Sequence, residues 1–448
     1  MNRSLGTKLA FIFYFIVFFK FIQHLVGLVF WKTNGGQHTT WFVESFQLDS
    51  DMLIRNRIDT NLDFGVFHNL FFLGPDGSYT SQIGFGGWLL SIPTTLLTKL
   101  HVLPSDATYG LPIDTIFNGN FLGITLTYAT VAIINAILFA YLIRFIHDRT
   151  NLTIALIFSI FTLQPWSIAI NGSIYWFMAL KFVPSLSLIY LSKQRLNRTL
   201  NYVILLLSYV ITFSSGYEFA TVTIVCFIIT HYCLYPERYR IFIDSLKQIC
   251  GALLLSFSAL CITLSLHFLS LSFVTKSASL AFREILKTVV KRTGASELAL
   301  PVEYGNSLSA PPLQVLKNYF SMPIFGSPFN LPLFNLITIY VLFLIVLILS
   351  FISTNQSDQR FLSTNVWLTA SLGPIAWYLL ARPHAAGHVH LDYAIWYFPT
   401  VPLGVCLIFD RIRRNEYSLL LRASLRMWSV YLMLLIVLFV FASLTVRN

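Results

Sequence analysis

Apolar runs long enough to cross about 30 Å of hydrocarbon, roughly 17 to 25 residues each, recur from Leu9 to Val446. No other feature narrows the fold so far. So many runs leave no room for a sizeable soluble domain, and a bilayer admits only helices or closed barrels, because every backbone polar group must be satisfied without water. These runs are continuous and do not alternate, so helices are expected. The composition agrees, with 56% hydrophobic and 11% charged residues and 41 Phe in a chain of 448, far from an ordinary soluble domain.

The first run, Leu9 to Trp31, is too long for a signal-peptide core and lacks a small-residue cleavage site, so it reads as a retained first span. All five cysteines (Cys226, Cys233, Cys250, Cys261 and Cys406) fall inside apolar runs. They read as small core hydrophobes, not as a disulfide framework or metal cage. The net charge of +11 is an orientation signal. Lys and Arg concentrate at Arg144 to Arg149, Lys193 to Arg198, Glu237 to Lys247, Asp358 to Arg360 and Asp410 to Arg426, and the positive-inside rule makes those segments cytoplasmic. Nucleic acid is therefore not an expected partner; membrane lipid is.

One run resists this alternation. If Ile83 to Leu100 crossed the membrane, the next span would put Arg144 and Arg149 outside. The run contains Gly84, Gly86, Gly87 and Pro93, and fits a helix lying at the outer surface. The expected fold is an all-α polytopic membrane protein of about eleven spans, at 9–31, 119–147, 152–170, 173–192, 201–215, 217–235, 248–275, 333–354, 363–381, 393–410 and 427–446. Its organisation reads as a seven-span module over 1–275 with an outer loop at 32–118, a second large outer loop at 276–332, and a four-span module at 333–448. No repeat, low-complexity tract or Gly-rich phosphate loop is visible, so no cofactor is expected.

Against this background the stretch Leu48 to Thr60, LDSDMLIRNRIDT, is out of place, with three aspartates and two arginines in the first outer loop. Ser50 suits an N-cap. Ile54, Ile58 and Leu62 at i, i+4, i+8 would lay a helix on the bilayer with Asp51 in its first turn. Asp51, Arg55 and Asp59 share the same spacing and could instead form a surface ion-pair ladder.

The layout of a first span, an acidic outer loop, YTSQIGFGGWLLSIP as a surface helix and then a long span ending YLIRFIHDR resembles the GT-C superfamily of membrane glycosyltransferases. Its relatives include aminoarabinose transferases and protein mannosyltransferases. The resemblance covers roughly the first 275 residues. It implies an inverting transfer of a sugar from a polyprenyl-phosphate donor to a glycan, lipid or protein acceptor on the extracytoplasmic side, at a bacterial inner (plasma) membrane with the N-terminus cytoplasmic. It also implies an outer-loop aspartate as general base, Asp51 first and Asp49 second, with Arg55 nearby for substrate. The family's usual adjacent acidic pair is here Asp49-Ser50-Asp51. The second outer loop, AINGSIYW, has no acid where some relatives hold a metal, so no metal is expected. An O-antigen polymerase or ligase, and a glycolipid flippase or transporter, are the competing readings.

Charged groups at membrane depth are costly and draw attention as site residues. Lys181, in FMALKFVPS, could hold a lipid phosphate, snorkel, or pair with Glu218 in SSGYEFAT. A weaker candidate is the pair Lys20 and His24 in the first span. The loop RPHAAGHVHLDY brings Arg382, His384, His388 and His390 to an outer end, where a phosphate clamp, an acceptor site, a metal site and an interfacial cap all fit the residue types. Arg283, Lys287, Lys291 and Arg292 lie on the outer side against the charge rule, either as a patch for anionic lipid or glycan, or as one face of a solvated helix.

Overall fold

The computed structural model describes residues 81–102, 121–149, 151–162, 173–239, 242–293 and 312–321, with single residues and short pieces at 53, 57, 60, 61, 65, 337, 338, 341, 370, 371, 373–377, 381, 403 and 404. The expected first span, Ser50 with its neighbours Asp49, Asp51 and Arg55, and the 382–392 loop lie outside the described residues.

All regular structure among the described residues is helical. In chain order it comprises α1 (Phe85–Lys99), α2 (Phe121–Arg149), α3 (Leu152–Thr162), a 3-10 turn (Met178–Phe182) leading into α4 (Val183–Leu191), α5 (Arg198–Ser214), α6 (Ala220–Leu234), a short 3-10 turn (Pro236–Tyr239), α7 (Phe242–Thr275), α8 (Ala278–Thr293) and α9 (Pro312–Ser321). One of them, α7, is long and apolar enough on its own to cross a membrane over Ile243–Thr275. Only 28% of its most apolar window is buried, whereas the core helix of a soluble protein would be largely covered. Leu254, Phe257, Leu269 and Phe273 point outward along it. The same holds for Leu200, Val203 and Leu207 on α5, and for Ile133 and Ile137 on α2. Contiguous bare apolar faces of this extent are stable against lipid or another protein, not against water.

The centre of the bundle lies where α4, α5, α6 and α7 meet. Leu188 and Ile189 from α4 pack with Tyr209 and Phe213 from α5, Phe227 and Ile228 from α6, and Leu255 and Ala259 from α7. Tyr209 lies 5.6 Å from Phe213 and 5.3 Å from Phe227, ring centre to ring centre, a spacing typical of tilted aromatic pairs. The local start of α5 follows from its sequence, since the Asn197 side chain accepts from Leu200 N at 2.7 Å as an N-cap should.

The region expected as one span over 173–192 is broken. A buried turn at 173–177 gives way to the 3-10 turn, and regular α-helix begins only at Val183. Pro184 explains the break. Lacking an N–H, it cannot donate to Leu180 O as the next turn of a helix would require. That carbonyl accepts instead from the Val183 N–H, in the tighter 3-10 pattern, and also from Thr212 Oγ1 at 2.6 Å, which ties the break to α5.

Helix α1 occupies most of the run Ile83 to Leu100 that was expected as a surface helix. Its 15 residues cover about 22 Å at 1.5 Å per residue, short of about 30 Å of hydrocarbon. The polarity of its faces is inverted relative to a water-soluble helix. Gly86, Gly87, Ser91, Thr94, Thr95 and Thr98 are buried, while Leu89 and Leu96 are exposed. Small and hydroxylated residues let helices approach closely and bond across the contact, as Thr94 and Thr127 do at 3.0 Å.

The described residues of the first loop meet this helix through Asn61. Leu53, Arg57, Thr60 and Asn61 are helical, spaced as one helix face, and the last three are buried. Asn61 Nδ2 donates to Ser91 Oγ, which donates in turn to Trp88 O at 2.6 Å. Gly65, with φ of 96°, donates its N–H to Asn61 O at 2.9 Å and ends the turn in the left-handed conformation that glycine adopts without strain. Ser91→Ala leaves the buried Asn61 amide without this acceptor and is expected to cost about 1–3 kcal/mol. Thermal unfolding of the purified protein would read this. Asn61→Leu combined with Ser91→Ala should recover part of the loss, because no orphaned polar partner then remains.

Candidate functional site

The polar cluster of interest forms where the start of α1, the broken entry to α4 and the turn between α5 and α6 converge. Gln82, Tyr175, Lys181, Ser215 and Glu218 are all buried there. Gln82 Nε2 donates to Tyr175 OH at 2.6 Å, and Tyr175 OH donates to Glu218 Oε1 at 3.4 Å. A chain of hydrogen bonds thus joins the residue just before α1 to the carboxylate just before α6.

Lys181 sits on the 3-10 turn, and its burial follows from the break, which swings it against the end of α5. Its ammonium donates to Ser215 Oγ at 3.0 Å and to Gly216 O at 3.1 Å. Ser215 Oγ donates onward to Thr212 O at 2.6 Å. The positive charge therefore lies at the carboxyl end of α5, where the helix dipole is negative, and Glu218 lies at the amino end of α6, where it is positive. Each such placement contributes about 0.3–1 kcal/mol at an exposed end and up to about 2 kcal/mol when partly buried. Glu218 thus stands on the five-residue turn 215–219, and Lys181 is held against it.

That turn depends on Gly216. Its φ of 141° is one that L side chains rarely adopt, and a Cβ there would lie 2.6 Å from Gln82 Oε1 and 3.5 Å from Lys181 Nζ. Close approach of α1 reinforces the arrangement, since a Cβ on Gly86 would touch Leu180 and Ser215 at 3.3 and 3.4 Å. On the far side, Tyr217 OH lies 3.1 Å from His267 Nδ1 and the two rings stack, which fastens the turn to α7. Trp176 and Phe219 pack edge to face beneath it.

Of the residues singled out in the sequence, Lys181 and Glu218 are brought to the same turn. Gln82, Tyr175 and Ser215 join them without having been singled out. Arg57 is a further omission. It is fully buried, and desolvation pulls its guanidinium down from the usual range to about 10. Its nearest sequence signal was the pair of arginines in LIRNRI, from which the neighbouring Arg55 was chosen. Among the described residues no group of three or more His, Cys, Asp or Glu side chains could hold a metal ion.

Chemically, the cluster offers a fixed ammonium, a buried carboxylate bonded to a phenol, and an amide, grouped beside the helix that Asn61 meets. Comparison with family models, curated proteins and solved structures found no match, so the functional reading rests on these residues and on the sequence pattern.

Proposed function

We propose that this chain is a membrane glycosyltransferase that moves a sugar from a polyprenyl-phosphate donor to an acceptor on the extracytoplasmic side, with inversion at the anomeric carbon. The observation that carries the reading is the burial of Lys181 and Glu218 around one turn near the entry to α1, in a chain whose helices otherwise turn apolar faces outward. Ionised groups kept at such depth are expensive and are retained where chemistry or binding needs them. The docking of Asn61, from the loop that carries the aspartates in the sequence, on α1 supports it further.

In the reaction the acceptor oxygen or nitrogen attacks the anomeric carbon, the bond from that carbon to the phosphate oxygen breaks, and the acceptor proton passes to Asp51, or to Asp49 in its place. Lys181, with Arg382, His384, His388 and His390, opposes the charge gathering on the departing lipid phosphate. Glu218 and Arg55 contact the sugar or acceptor. Eleven spans, a cytoplasmic N-terminus and an outward-facing site complete the proposal.

The topology is the cheapest part to test. Reporter fusions near Gly77 and Ser307 are expected outside, and fusions at Lys193 to Arg198 or Arg411 to Arg414 in the cytoplasm. A cytoplasmic signal from a fusion just after His101 would make α1 cross, overturning its surface-helix assignment and with it the main link to the glycosyltransferase pattern. For the activity itself, mass spectrometry of lipid-linked sugars with and without the gene should show a polyprenyl-phosphate sugar accumulating when the chain is absent. Movement of an unmodified glycolipid across the bilayer would point to a flippase. Dependence on Arg382 and His388 with Asp49 and Asp51 both dispensable would point to a polymerase or ligase.

A further inference from the structure

Helix α8 follows α7 after a sharp reversal. Lys276 takes a left-handed φ of 51°, and Ser277 then starts the new helix, its Oγ accepting from Leu280 N at 3.3 Å. The reversal lays one face of α8 against the end of α7, with Ala281 and Ile285 packed on Phe268, Leu271 and Val274. Two other faces are exposed. Phe282, Leu286 and Val289 are exposed at 61%, 50% and 47% and share one side of the helix by their spacing of four, three and seven. Arg283 and Lys287, also exposed, form the adjoining side one turn apart.

Four basic residues stand on α8, Arg283, Lys287, Lys291 and Arg292, against Glu284. Glu284 lies 3.9 Å from Lys287, a solvent-exposed contact that compensates little charge. An apolar face flanked by a basic face is what a helix needs to lie in a headgroup layer, its hydrocarbon down and its cations among phosphates. The place is right as well. At 1.5 Å per residue, a crossing of about 30 Å uses about 20 residues of α7. The apolar stretch of α7 begins near Cys250, so its last turns, which carry α8, project to the level of the headgroups.

We propose that α8 is a membrane-surface helix that binds an anionic bilayer, with Phe282, Leu286 and Val289 inserted below the headgroups and Arg283 and Lys287 engaging lipid phosphates. The occupant of the bare faces is the lipid surface surrounding the same molecule. This binding requires that α7 spans the bilayer and is independent of any sugar transfer.

The test is hydrogen exchange of the full-length chain in nanodiscs, comparing phosphatidylcholine alone with a phosphatidylcholine and phosphatidylglycerol mixture. Amides over 278–293 are expected to exchange about tenfold more slowly in the anionic discs, in keeping with the attraction of a few basic residues to such a surface. Those of α5 should not change. Raising the salt concentration should abolish the difference in the unaltered protein, because the attraction is screened. The double variant Arg283→Gln/Lys287→Gln should also lose it, and Phe282→Ser/Leu286→Ser should lower protection in both kinds of disc. Equal exchange of the unaltered chain in the two lipids overturns the proposal. So does protection that follows the number of chains per disc instead of lipid charge, which would make a second copy the occupant.

Discussion

Asp51→Asn is expected to lower the rate of sugar transfer by about 10²- to 10⁴-fold, the usual contribution of a positioned general base. Asparagine keeps the size and most of the hydrogen bonding of aspartate but cannot take up the acceptor's proton. Donor binding should hardly change, because the proton moves only as the acceptor attacks. The effect then falls on turnover and not on donor affinity. The ion-pair ladder makes the opposite prediction. If Asp51, Arg55 and Asp59 do no more than brace a surface helix, Asp51→Asn and Arg55→Ala should each cost a few tenths of a kcal/mol in stability and leave turnover intact. Measuring turnover with a polyprenyl-phosphate sugar alongside thermal unfolding separates the two. Loss of activity in Asp49→Asn with Asp51→Asn active would move the base by two residues, and full activity in both would remove the loop from catalysis.

Why the sequence shows some of this and hides the rest is a matter of physics. Long apolar runs have few alternatives to helix, so α2, α5, α6 and α7 appear close to the expected positions. In α1 the apolar residues were legible, but the face used for packing is the small and hydroxylated one, a preference that arises only where the surroundings are as apolar as a Leu side chain. The break before α4 needed a tertiary fact. Pro184 announces that Leu180 O will lack its α-helical donor and must turn to the Val183 N–H, but nothing local says that Thr212, 32 residues on, donates to it as well. The bond between Gln82 and Tyr175 spans 93 positions and belongs to no motif, so a lone glutamine before a glycine-rich helix start attracted no notice. Lys181 and Glu218 were visible because charge in an apolar run is conspicuous. That Arg57 of LIRNRI is buried is not visible in the sequence, since helical phase and not residue type decides which positions are covered.

Gly216→Ala should be among the most damaging small substitutions in the described residues, at roughly 2–4 kcal/mol, from two separable causes. The first is the backbone. Holding a non-glycine residue at φ 141° costs on the order of 1–3 kcal/mol, wherever its side chain points. The second is contact, since the new methyl would lie 2.6 Å from Gln82 Oε1. The Gln82 amide can swing away only by giving up its bond to Tyr175, worth about 0.5–1.5 kcal/mol net. Tyr175 would then be free to turn from Glu218, so sugar transfer should fall by more than the fraction unfolded explains. Gln82→Ala in the same chain tests the division. It removes the obstructing atom together with the bond, so the double variant should lose less than the sum of the two single losses, while the backbone cost remains. Denaturation and turnover measured on all four proteins give both terms. Strict additivity would mean that Gly216 and Gln82 do not meet, and a Gly216→Ala protein as stable and active as the parent would mean that this turn does not hold Lys181 and Glu218 in place.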